Sequence, residues 1–268
     1  VKTNDLKANI RHLLKERNAI FLAHNYQPPE IQDLADLCGD SLELSIQAAR
    51  TEADVILFCG VHFMAETAAI LSPEKTVLLP RPDAGCPMAE MIDPVSLRAR
   101  IDELPPMPVV TYVNSSAAVK ALSTICCTSA NAVAVVESLD AEAVLMTPDR
   151  NLARYTAART KKKVHVWEGC CPIHDRLSPE DVRRAREAHP GAVFMAHPEC
   201  RPEVLALADV ITSTSGMLRT AAESDSSRFI VGTEVGLLYP LKKANPAKEF
   251  FAASERMLCE DMKKISLQ

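Results

Sequence analysis

Apolar and polar positions follow two rhythms along this chain. Residues 4–18 carry Leu6, Ile10, Leu13 and Leu14 on one helical face and charges on the other, which predicts an amphipathic helix. Short unbroken apolar runs follow at 19–23, 55–58, 76–79, 109–112, 143–146, 164–167, 192–195 and 229–231, with a weaker one at 248–252. Helical patterns at 31–37, 41–51, 64–71, 94–104 and 179–188 stand between them. Strands of continuous Val, Ile and Leu are buried on both faces, and helices between such strands imply parallel pairing through right-handed crossovers. The predicted fold class is therefore α/β, with short parallel sheets covered by helices in three-layer αβα units.

The pattern repeats. An apolar run ends in polar residues at Ala23-His24-Asn25-Tyr26-Gln27, at Val109-Val110-Thr111-Tyr112-Val113-Asn114 and at Val193-Phe194-Met195-Ala196-His197-Pro198-Glu199. Aligning Tyr26, Tyr112 and His197 gives spacings of 112 − 26 = 86 and 197 − 112 = 85. Helix starts follow at Asp40-Ser41-Leu42, Thr128-Ser129-Ala130 and Ser213-Thr214-Ser215, and Ser41, Ser129 and Thr214 lie 129 − 41 = 88 and 214 − 129 = 85 apart. Each is a candidate N-cap. One cysteine per repeat closes the pattern, with Cys86, Cys171 and Cys259 at 171 − 86 = 85 and 259 − 171 = 88. A period held by three markers indicates a repeat architecture, so three domains are expected at 1–90, 91–176 and 177–268. In open parallel sheets ligands bind beyond the carboxyl ends of the strands. Three equivalent lobes around a pseudo-threefold axis would turn those ends toward one central active site.

Composition narrows the function classes. A 268-residue chain that is 47% hydrophobic and 24% charged can bury a substantial core. Its net charge of −5, with Lys161-Lys162-Lys163 as the one basic run, argues against a nucleic-acid partner. No apolar run approaches the roughly 20 residues of a membrane span, and no secretory h-region opens the chain, so a cytoplasmic protein with no membrane partner is expected. Because residue 1 is Val1, further residues are expected to precede it. Nine cysteines are an odd number in a chain that is no small secreted scaffold, which favours ligation or burial over disulfides.

The candidate chemistry lies at the strand ends. Helix starts at Ser41, Ser129 and Ser213-Thr214 offer N–H groups and hydroxyls to phosphate or carboxylate. Tyr26, Tyr112, His24, His174, His197 and Glu199 are the acid–base and substrate-binding candidates, and His62 and Glu234 also follow strands. His12, His165 and His189 are assigned no role. Cys38, Cys59, Cys126, Cys127 and Cys200 read as small buried apolar residues. Residue types alone leave alternatives open: three cysteines plus water describe a catalytic zinc site, and three anion-binding helix starts describe a non-catalytic binding protein for a phosphorylated dicarboxylate. Nor does the period choose between Cys170 and Cys171, which give spacings of 84 and 89 or 85 and 88.

Nearly the whole chain resembles the quinolinate synthase family, iron–sulfur enzymes of NAD biosynthesis. The resemblance rests on Ala23-His24-Asn25-Tyr26-Gln27, Gly39-Asp40-Ser41, Gly85-Cys86-Pro87-Met88-Ala89, Tyr112-Val113-Asn114-Ser115, Trp167-Glu168-Gly169-Cys170-Cys171-Pro172-Ile173-His174, His197-Pro198-Glu199-Cys200, Ser213-Thr214-Ser215-Gly216 and Cys259-Glu260-Asp261-Met262-Lys263-Lys264. It implies three αβα domains around a pseudo-threefold axis. It also implies condensation of iminoaspartate, supplied by an L-aspartate oxidase or dehydrogenase, with dihydroxyacetone phosphate to give quinolinate, phosphate and water. By the same resemblance Cys86, Cys171 and Cys259 hold a non-redox [4Fe-4S] cluster with one open iron. Tyr26, Tyr112, His174, His197 and Glu199 become catalytic, and His24, Ser41, Asn114, Ser129, Ser213 and Thr214 become substrate-binding. The family's ligand lies three residues before the histidine, and 174 − 3 = 171 selects Cys171. Some family members carry a close cysteine pair near the C-terminus that forms a regulatory disulfide; Cys259 has no such neighbour, and that switch is not expected.

Overall fold

A computed structural model of the chain describes residues 3–267. The chain divides into two compact units, one built from the segment up to Cys86 together with the segment from Cys259 onward, the other from Pro87–Leu258. In the first unit the order is α1 (Thr3–Glu16), β1 (Ala19–His24), α2 (Pro29–Gln32), β2 (Leu37–Gly39), α3 (Ser41–Arg50), β3 (Val55–Cys59), α4 (His62–Leu71) and β4 (Thr76–Leu78). The second unit opens with α5 (Pro94–Glu103), β5 (Val109–Tyr112), α6 (Ala117–Lys120), β6 (Ile125–Cys127), α7 (Ala132–Ser138), β7 (Ala143–Thr147), α8 (Arg150–Ala157) and β8 (Lys163–Val166). After the single turn α9 (Pro172–Asp175) it continues with α10 (Pro179–Ala188), β9 (Val193–Ala196), α11 (Pro202–Leu205), β10 (Val210–Ile211), α12 (Thr214–Glu223), β11 (Arg228–Gly232), α13 (Leu238–Ala244) and β12 (Glu249–Ala252).

The order of elements is thus the same three times over, and so is the topology. The sheets run β2-β1-β3-β4, β6-β5-β7-β8 and β10-β9-β11-β12, parallel throughout. This is the α/β fold of repeated αβα units that the apolar runs predict, with one difference. Each sheet has a fourth strand at its edge, β2, β6 or β10, which sequence reading does not find; it folds Leu37, the first residue of β2, into a helix. These strands have three, three and two residues, and one side meets solvent, so no apolar run announces them. The central strands are buried on both faces, as a parallel sheet between helices requires.

One hydrogen bond marks the repeat more sharply than any sequence marker. The N–H of Phe21 donates to Asp36 at 2.8 Å, that of Val109 to Thr124 at 3.0 Å and that of Phe194 to Asp209 at 2.8 Å. In each case a side chain just before the edge strand holds the central strand. The acceptors are 124 − 36 = 88 and 209 − 124 = 85 residues apart. Counting three residues on from each donor aligns His24, Tyr112 and His197. Tyr26 is therefore two residues out of register with Tyr112: likeness of side chain misleads where the backbone does not.

Helix starts are specified locally. Asp93 and Ser178 close capping boxes, each followed by a proline suited to the first turn, at the starts of α5 and α10. Beneath β9 and β11, Leu177, Val182, Phe194, Val204, Ile230 and Met257 form a fully buried core. In the first unit Leu14, Phe21, Ile31 and Leu34 pack with Ile265 from the returning segment. Among the described residues no helix is long and apolar enough to cross a membrane.

Candidate active site

A strand order of 2-1-3-4 reverses direction between its two central strands, and the crevice beyond their carboxyl ends is where such sheets bind ligands. In the second unit those ends carry Tyr112 on β5, Asp149 just past β7, His197 and Glu199 past β9, and Thr233 past β11. Short central strands followed by polar turns leave these side chains at the rim, where the next helix begins.

They converge. His174 on α9 places Nδ1 2.7 Å from Oε2 of Glu199 and 3.2 Å from Sγ of Cys171, while its Nε2 lies 2.8 Å from the Thr233 hydroxyl. In the tautomer that donates Nδ1–H to Glu199, Nε2 accepts from Thr233. The His197 ring stacks on His174 with centroids 4.6 Å apart, and its Nδ1 is 3.7 Å from Glu199. Tyr112 completes the group, donating its hydroxyl to Glu199 and accepting from Ser129. Glu199, His174 and Tyr112 are 3%, 2% and 4% exposed. The ligand atoms of Cys171, His174 and Glu199 all lie within 4.8 Å of one another, a set able to hold a metal ion.

Electrostatics follows from this packing. Burial works to raise the Glu199 carboxyl, but the imidazoles of His174 and His197 and hydrogen bonds from His174 and Tyr112 outweigh it, holding it down at about 2. Burial, the Glu199 charge and its hydrogen bond push the Tyr112 phenol well above its ordinary value, against the Ser129 contact. Asp149 is raised above its ordinary value by burial and by the Glu199 charge, against the N–H groups whose hydrogen bonds it accepts. The buried Glu199 carboxylate thus faces a phenol that keeps its proton.

The remaining candidates of this unit lie nearby in the chain. Asn114 follows Tyr112, and its side-chain oxygen is buried without a partner, a group suited to a ligand donor. Ser213 caps α12 through the Gly216 N–H at 3.3 Å, and Thr214 is the first helical residue; both are buried. A side chain at Gly216 would come within 1.8 Å of Thr212 Oγ1, so the first turn of α12 packs closely on Thr212. Ser129 does not open a helix: Asn131 stands at the start of α7, and Ser129 serves the Tyr112 phenol instead. Glu234 is fully buried and accepts from the Gly236 N–H at 2.8 Å.

In the first unit Tyr26 N–H donates to His24 Nδ1 at 3.2 Å and their rings meet edge to face at 4.5 Å. The same backbone-to-ring bond joins Glu199 to His197 at 3.3 Å. The loop after β1 is held from two sides. Gln32 donates to the carbonyls of Asn25 and Gln27 at 3.0 and 2.8 Å, and from the returning segment Lys263 reaches the Tyr26 carbonyl. Asp40 rather than Ser41 caps α3, accepting from Leu42 and Glu43 at 3.0 and 3.1 Å, and Ser41 is the first helical residue. His62 is exposed, 3.9 Å from Glu66.

Among the described residues no cysteine lies in a disulfide, and the nine divide by environment. Cys59, Cys127 and Cys200 are buried, and burial raises their thiols, Cys59 to about 12. Cys38 and Cys126 are partly exposed, not buried as the reading of them as small apolar residues has it. Cys86, Cys171 and Cys259 are partly exposed as well, each in a loop or at a helix start. The loop before Cys86 and the segment after Cys259 are tied together. Lys264 donates to the Asp83 carbonyl at 2.5 Å and pairs with Asp261 at 2.7 Å, and Arg81 pairs with Asp83 at 2.8 Å. Cys171 presents its thiol beside His174, whereas Cys170 directs its N–H to the Met91 sulfur at 3.4 Å.

Sequence reading misses Thr233 and the stretch Asp149, Arg150 and Asn151. Thr233 does lie in the polar end of an apolar run. The second stretch follows Pro148 and carries charges, which reads as a plain turn.

The family model for NadA, quinolinate synthetase A protein, matches residues 8–268. Quinolinate synthase of Geobacter sp. (strain M21) is 59% identical over 263 residues, 98% of this chain and 86% of that protein. Quinolinate synthase of Geotalea uraniireducens (strain Rf4) is 57% identical over 265 residues, 99% of this chain and 87% of that protein. Quinolinate synthase 1 of Methanosarcina acetivorans is 55% identical over 264 residues, with 98% and 87% covered. With its repeated 2-1-3-4 sheets and polar strand ends, this chain belongs to the quinolinate synthetase A protein family.

Proposed function

We propose that this protein is a quinolinate synthase of NAD biosynthesis, condensing iminoaspartate with dihydroxyacetone phosphate to give quinolinate, phosphate and water. Family membership supports the reaction. The observation that carries the reading on this chain is the buried group of Tyr112, Glu199, His174 and His197 beside the Cys171 thiol. A reaction that moves several protons on anionic reactants needs a fixed carboxylate and proton-holding neighbours in one dry place. As read here the enzyme works in the cytoplasm and takes iminoaspartate from an L-aspartate oxidase or dehydrogenase. The repeats at 1–90, 91–176 and 177–268 are its three domains.

Cys86, Cys171 and Cys259 are proposed to hold a [4Fe-4S] cluster. Their chemistry fits the group: all three are partly exposed thiols, each in a loop or at a helix start, and none lies in a disulfide. When bound, the cluster supplies a Lewis acid with one iron not held by the protein. The protein's own side chains supply the rest. Glu199 stays ionised and steadies the two imidazoles, which exchange protons with the reactant, while Tyr112 stays protonated and donates. Ser213 and Thr214, together with Ser41, bind phosphate or carboxylate at helix starts. Asn114, Ser129, His24 and Tyr26 complete the substrate contacts.

A second reading is a mononuclear zinc enzyme, favoured by one observation: Cys171, His174 and Glu199 present thiolate, imidazole and carboxylate within 4.8 Å of one another. Metal analysis of anaerobic protein separates the two. The central role of Glu199 is tested by Glu199→Gln, which keeps size and burial but removes the charge. Iron content is expected to stay at the wild-type level while turnover falls by roughly 10² or more. Turnover near wild type removes Glu199 from the chemistry.

A further inference from the structure

The group at the strand ends is held by three consecutive residues to which the proposed function gives no role. Asp149, 2% exposed, divides its carboxylate: one oxygen accepts the Leu152 N–H at 2.6 Å, capping α8, and the other accepts the Cys171 N–H at 3.0 Å. The Arg150 N–H donates to the Gly169 carbonyl at 2.8 Å, and its guanidinium reaches both Asp175 oxygens at 3.1 Å. Asn151, 1% exposed, donates to Asp175 Oδ1 at 2.9 Å and to the backbone carbonyl of Glu199 at 3.0 Å. The start of α8 therefore grips α9 at both ends and grips the Glu199 loop as well.

We propose that Asp149 and Asn151 are positioning residues that fix the Cys171 backbone and the Glu199 backbone at a set separation, so that thiol, imidazole and carboxylate meet. Neither side chain touches a reactant in this account. An N-cap needs only one acceptor, so the second oxygen of Asp149 does a separate job. Asn151 bridges two loops that belong to different sheets. The consequences for cluster and turnover rest on the proposed function; the clamp itself does not.

The test uses the full chain prepared anaerobically. Asp149→Ser keeps a helix cap but has no second acceptor for Cys171. Amide hydrogen exchange of residues 169–175 is expected to quicken roughly tenfold or more, the scale set by loss of one buried hydrogen bond, while Leu152 stays protected. Iron is expected to leave the variant roughly 10 to 100 times faster under chelator, the usual cost of removing a support behind a ligand. Asn151→Ala is expected to keep its iron and lose about tenfold in kcat with KM little changed. Ser178→Ala removes the cap of α10 and serves as the control for general loss of stability. Unchanged exchange at 169–175 in Asp149→Ser, or the same quickening in Ser178→Ala, overturns the proposal. If Asp149→Ser does not fold, wild-type kcat in Asn151→Ala overturns it alone. Wild-type protein that takes up no iron sinks the cluster reading instead, and the exchange result still decides the clamp.

Discussion

Thr233 shows how a single hydroxyl governs the centre of the site. His174 is buried, and its Nε2 meets Thr233 Oγ1 at 2.8 Å while its other nitrogen serves Glu199 and Cys171. Removing the hydroxyl leaves a buried ring nitrogen without that partner, which costs about 1–3 kcal/mol and frees the ring to turn. Thr233→Val is therefore expected to lower kcat by roughly tenfold or more, with iron content unchanged, and Thr233→Ser to restore it. Steady-state kinetics beside iron analysis checks this, and equal activity in the two variants contradicts it. The neighbouring Gly232 is constrained too. A methyl there would lie 2.7 Å from the Phe194 ring and 3.1 Å from the Met195 carbonyl, so the turn that carries Thr233 packs directly on β9.

At the scale of elements, the helix caps link folding to pH. Asp181 on α10 has a side chain 3% exposed that accepts from Ser178 and pairs with Arg256 at 2.9 Å. Burial works to raise its carboxyl, but the Ser178 hydrogen bonds and the Arg256 charge outweigh it and the net direction is down. A carboxyl lower in the folded state than in the unfolded one binds fewer protons when folded. Its contribution is full above the unfolded value, about 4, and is lost as pH falls through the folded value. Asp181→Asn is expected to lower the urea midpoint at pH 6 and to shrink the drop between pH 6 and pH 3. A variant with the full wild-type acid sensitivity contradicts this assignment. Elements also show what the sequence makes legible. Central strands such as Val109–Tyr112 were readable because a strand buried on both faces must be apolar throughout, and the polar residues that end them were readable as a site. The edge strands were not, since two or three half-exposed residues leave no periodicity. The start of α8 was not, because Pro148 and the charges beside it look like any surface turn until Cys171 and Glu199 are brought to it from distant parts of the chain.

At the scale of the molecule, the chain leaves its first unit after Cys86 and comes back at Cys259. Two of the three proposed cluster ligands thus stand at the two crossings, 259 − 86 = 173 residues apart, and Lys264, Asp83 and Arg81 tie the adjoining segments. The third, Cys171, stands in the other unit at the mouth of α9. Each of the three cysteines follows the last strand of its αβα repeat. The two neighbouring cysteines differ in setting: the Cys171 thiol adjoins the His174 ring, whereas the Cys170 N–H bonds the Met91 sulfur. The central claim is that these three thiols hold one iron–sulfur cluster, and the most direct measurement is iron and sulfide per chain in anaerobically reconstituted wild type, Cys171→Ala and Cys170→Ala. The account predicts about four of each in wild type and in Cys170→Ala and almost none in Cys171→Ala. One zinc per wild-type chain, or a cluster kept by Cys171→Ala and lost by Cys170→Ala, contradicts it.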